Sequence, residues 1–72
     1  MIEITFSNNS TVTANEDCKI FGLSTYGKQE ITNANGLLAS LIETQENYQY
    51  FCFSHKPNTY FNFNSVVSIK EK

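Results

Sequence analysis

A chain of 72 residues allows one domain, spanning residues 1–72, around one core, and leaves little room for a deep pocket. The formal charge of −2 comes from seven acidic residues against five lysines, and there is no arginine. Arginine supplies the planar fork that suits guanine edges and phosphates, so its absence argues against nucleic-acid recognition, and no apolar run approaches the roughly 20 residues that a bilayer-spanning helix needs.

Ile2, Ile4 and Phe6 alternate with Glu3 and Thr5. Ser7-Asn8-Asn9-Ser10 then offers turn residues, and Thr11-Val12-Thr13-Ala14 resumes the alternation. This pattern predicts an N-terminal hairpin, because asparagine tolerates the left-handed backbone that tight turns require. After Asn15-Glu16-Asp17, the run Cys18–Ser24 reads as a third strand bent at Gly22. Thr25–Thr32 is mostly polar and reads as a loop or a short edge strand.

Between Asn33 and Glu46 the residues Ala34, Leu37, Leu38, Leu41 and Ile42 recur at helical spacing, with Ser40, Glu43, Thr44 and Glu46 opposite. Thr32 or Asn33 would cap this helix, and Asn47 would stop it. Two aromatic-rich runs close the chain. YQYFCFSH leads through a loop at Lys56–Thr59 into YFNFNSVVSI, which predicts a second antiparallel hairpin. Strand alternation turns Phe51, Phe53, Phe61, Phe63, Val67 and Ile69 inward, and sets Tyr48, Tyr50, Cys52 and Tyr60 on the other face.

The expected fold class is α+β: a small curved antiparallel sheet, or partly open barrel, of four to five strands packed on one central helix. The two ends of the chain follow the strand order at the ends of Sm-like and SH3-like small barrels. The central helix departs from the Sm pattern, and no diagnostic motif assigns a family.

Chemistry-bearing residues are few. His55 is the only histidine, at a hairpin tip, and the sequence supplies it with no nucleophile and orienting partner. Cys52 and His55 have a C-x-x-H spacing, with Cys18 as a further donor, but a zinc site needs three or four converging ligands and a continuous strand separates these two. Two cysteines without a leader pattern fit reduced, core thiols in a cytoplasmic protein better than a Cys18–Cys52 disulfide. No catalytic residue, metal ligand or cofactor motif is predicted.

The candidate binding residues are Tyr48, Tyr50 and Tyr60, with Tyr26. A tyrosine joins a large apolar area to a hydroxyl at low rotamer cost, which suits a protein interface. The same rings could stack unpaired bases, or lie covered by the Cys18–Tyr26 segment in a closed small barrel. The expected function is therefore a non-enzymatic cytoplasmic binding protein that modulates a protein partner as inhibitor or adaptor, of a size and composition that suit a phage or mobile element. A small-barrel single-stranded nucleic-acid binder, with Lys19, Lys28 or Lys56 on the backbone, is the alternative. A homo-oligomer would help so thin a core.

Overall fold

A computed structural model describes all of residues 1–72. Strands β1 (Ile2–Phe6) and β2 (Thr11–Ala14) form the expected hairpin, with Ile4 opposite Val12 and Ile2 opposite Ala14. At its turn Asn9 takes a positive φ of 69°, and the Asn8 side chain accepts a hydrogen bond from the Ser10 backbone N–H at 3.0 Å. Local side-chain bonding of this kind fixes the turn and hence the register.

Strand β3 (Ile20–Ser24) starts two residues later than the sequence pattern suggests. It turns through Thr25-Tyr26 into β4 (Gly27–Ile31), where Gly27 has a φ of 106° that side chains rarely adopt. The polar Thr25–Thr32 segment is thus an edge strand. The strand is polar and only five residues long, which limits pairing of its open edge with other chains.

Helix α1 runs from Leu37 to Asn47, four residues shorter at its start than the periodicity implies. Asn33 folds back to accept the Asn35 backbone N–H at 2.8 Å, and Gly36 adopts a φ of 107°, so no helical turn can form before Leu37. Neither Thr32 nor Asn33 caps the helix. Instead Glu16, from the β2–β3 connection, accepts the Leu37 N–H at 3.2 Å, a carboxylate placed where the helix dipole favours it.

The buried stripe of α1 also differs from the expected one. It consists of Leu37, Ser40, Leu41 and Thr44, while Ile42 is 46% exposed. Thr44 and Ser40 enter the core because their hydroxyls donate to carbonyls one turn back, Ser40 O at 2.7 Å and Gly36 O at 2.9 Å. A hydroxyl satisfied in this way costs little to bury.

The late aromatic region forms β5 (Tyr50–Phe53), β6 (Lys56–Asn62), a 3-10 turn (Phe63–Ser65) and β7 (Val66–Glu71). Two expectations are corrected here. The hairpin turns at Ser54-His55, because Phe53 pairs with Lys56, and Lys56–Thr59 is strand rather than loop. The run YFNFNSVVSI is also not one strand. Asn62 accepts the Asn64 N–H at 2.9 Å, which breaks the ladder and redirects the chain, so that β7 pairs with β1. Along that pairing the register slips between Thr5–Ser68 and Phe6–Val66, leaving Val67 as the extra residue of a bulge. Val67 is accordingly 67% exposed, and Val66 packs against the core in its place.

The result is α+β with antiparallel sheets and one helix, as expected. Its strands number seven and form two sheets, β2-β1-β7 and β4-β3-β5-β6, not closed into a barrel. Ile2, Ile4, Phe6, Val12 and Ala14 of the first sheet meet Ile20, Phe51 and Phe53 of the second, with Leu37, Leu41 and Phe63. Phe63 stacks on Phe51 at 4.2 Å between ring centroids. No helix is long and apolar enough to cross a membrane.

Candidate functional site

The four-stranded sheet has two chemically different faces. Directly opposed residues of an antiparallel pair share a face, so Ile20 with Phe53 and Gly22 with Phe51 define the inner one. On the outer face Phe21 opposes Cys52, and Leu23 opposes both Tyr50 and Lys28. Asn62 opposes Tyr50, which puts Tyr60, two residues before Asn62, on the same side.

Tyr50 and Tyr60 therefore share the outer face, 44% and 50% exposed. With Leu23, Ser24, Thr25 and Gln49 they line a shallow depression of about 570 Å³. Tyr26 projects from the β3–β4 turn and is 99% exposed. Tyr48 does not join them. It is the C-cap residue of α1, and a bend at Gln49 separates it from β5, so strand alternation does not extend back to it. Its ring lies on the inner face over Gly22, and its hydroxyl donates to Gln29 Oε1 at 2.9 Å.

Between Phe51 and Phe53 on β5, strand β6 runs from Phe61 to Lys56, so Pro57–Tyr60 bow out of the ladder. Pro57 has no N–H to lose by this. Lys28 crosses from β4 to this bowed segment, donating to the Pro57 carbonyl at 2.7 Å with its ammonium 5.2 Å from the Tyr60 ring centroid. In a flat sheet β4 and β6 would lie about 14 Å apart, beyond the reach of a lysine side chain. The outer face is therefore concave.

Cys52 lies fully buried on this face. Burial pushes its thiol pKa above the ordinary value of 9.0, and the Lys28 ammonium acts weakly in the other direction. Lys28 makes no ion pair, unlike Lys19 with Glu30 or Lys72 with Glu3. Its outer-face neighbours are Leu23, Tyr50 and Tyr60, while Glu30, two residues along β4 on the same face, is paired with Lys19 instead.

The C-x-x-H spacing of Cys52 and His55 brings no contact between them. Both cysteines are free, and the residue that meets His55 is Cys18, with Sγ 3.5 Å from Nδ1. Continuation of the β3–β5 pairing brings them together, since Ser54 N donates to Lys19 O at 2.9 Å and Lys19 N to Ser54 Oγ at 3.0 Å. No group of three or more His, Cys, Asp or Glu side chains converges as metal ligands would. Sequence spacing gave no sign of this contact across 37 positions; only strand register reveals it.

The chain matches no protein-family model, no curated protein and no solved structure. Its functional reading rests on the geometry.

Proposed function

We propose that this protein is a non-enzymatic binding module that docks a protein partner on the concave outer face of β4-β3-β5-β6. The observation that carries the reading is the adjacency of Leu23, Tyr50 and Tyr60 around one open depression with Lys28 beside them. The other exposed apolar side chains, Ile42 and Val67 among them, lie on separate elements, and scattered apolar residues are ordinary on a protein surface. Strand addition to this sheet is a poorer route to binding, because β4 is a short polar edge strand and β6 carries Lys56 and Pro57. The partner surface that fits presents an apolar side chain for the tyrosines and a carboxylate for Lys28. A partner so held would be modulated by masking, as by an inhibitor or adaptor.

Base stacking on the same rings is disfavoured by the net charge of −2 and the absence of arginine. Affinity capture from the native host tests the proposal. Tyr50→Ala and Tyr60→Ala, both at half-exposed positions, should lose the captured protein while the melting temperature stays within a few degrees of the parent. Equal capture by both variants would refute it. Binding to a single-stranded oligonucleotide that falls steeply with salt would favour the stacking alternative.

A further inference from the structure

We propose that Cys18 is a thiol-modification site at which His55 acts as the proton acceptor and the co-substrate is a low-molecular-weight disulfide. Three observations converge on it. The Cys18 thiol lies 3.5 Å from His55 Nδ1, hydrogen-bonding range for sulfur. The pair opens on a depression of about 500 Å³ between the β2 edge and the β5–β6 turn, lined also by Val12, Ala14, Asp17 and Lys56. That volume falls within the range of small-molecule clefts.

The two residues are also held in place. Cys18 N donates to Asn15 O at 3.0 Å, and the Cys18 side chain is half-buried against the core. His55 occupies the two-residue turn between β5 and β6, with its ring 5.5 Å from that of Phe53. Thiol and imidazole thus come from two different connections, which the Lys19–Ser54 hydrogen bonds hold side by side.

In the reaction the Cys18 thiol passes its proton to His55 Nδ1 as sulfur attacks one sulfur of the disulfide R–S–S–R. A Cys18–S–S–R bond forms, the R–S–S–R bond breaks, and the departing thiolate takes the proton from His55 and leaves as R–SH. One disulfide is consumed and one is made, so no other oxidant is needed. The event is stoichiometric and compatible with a protein that otherwise only binds. Cys52 supplies an internal control, being a thiol of the same chain that is fully buried and has no histidine beside it.

The test uses the native chain at neutral pH with excess dithiodipyridine, followed by thiopyridone release and by mapping of the modified peptide. One equivalent should be released quickly, all of it from Cys18, and the second only after denaturant unfolds the protein. His55→Gln should keep the melting temperature and slow the fast phase about a hundredfold, the low end of what a positioned general base contributes. Lys56→Gln, which removes the neighbouring charge and keeps the imidazole, should leave the rate within about twofold. Glutathione disulfide should label the same residue with the same dependence on His55. An unchanged rate in His55→Gln, preferential labelling of Cys52, or no reaction of either thiol in the folded protein would each overturn the assignment.

Discussion

The ring of Tyr48 covers Gly22, and a methyl group on that glycine would overlap the ring carbons. The residue that ends α1 thus seals the sheet at the centre of β3, and glycine is required there for space rather than for backbone freedom. Gly22→Ala should destabilise the protein by about 1–3 kcal/mol in urea unfolding, the usual cost of overpacking. Replacing Tyr48 with leucine in the same chain should recover part of that loss. Additive losses in the double variant would mean that the two residues do not compete for one space.

Leu41 and Ile42 are adjacent in sequence and opposite in environment, one fully buried and the other half-exposed. Leu41→Ala should cost about 2–5 kcal/mol and unfold much of a domain whose whole margin is small. Ile42→Ala should change stability by no more than about 0.5 kcal/mol. Comparable losses in the two variants would place the helix in the wrong rotation.

Cys52 makes stability depend on alkaline pH. Burial keeps the proton on the folded-state thiol beyond the ordinary value of 9.0. Below that value folded and unfolded chains are both protonated, and the stabilisation is fully present. As pH rises above it the unfolded chain sheds its proton first, so stability falls until the folded thiol also ionises. Urea midpoints of the parent protein should therefore decline more steeply above 9.0 than those of Cys52→Ala. Parallel curves would show that Cys52 does not contribute.

What the sequence made legible was periodicity, and what it hid was every place where a polar side chain overrides it. The Ile2–Ala14 hairpin follows from alternation and an asparagine turn, and both are present as read. The buried faces of Phe51 and Phe53 follow in the same way. Asn62 and Asn33 each capture a backbone N–H two residues on, and these local bonds break a strand and delay a helix that hydrophobic spacing alone would continue. Thr44 looks like a surface residue until its hydroxyl finds the Ser40 carbonyl. The candidate site was half legible. Tyr50 and Tyr60 share a face because alternation holds through them, whereas the bend at Gln49 carries Tyr48 to the other side. Lys28 over Tyr60 and Cys18 beside His55 depend on which strands are neighbours, and composition does not encode that.

The most direct test of the docking face is site-specific photo-crosslinking in the native host. A benzophenone side chain at Thr25, on the rim of the Tyr50–Tyr60 depression, is compared with one at Ile42 on the exposed side of α1. A discrete protein adduct from position 25, lost when Tyr50→Ala is added and missing from position 42, is the predicted result. Adducts from position 42 alone, or an adduct at position 25 that survives Tyr50→Ala undiminished, would contradict the assignment of this face as the binding surface.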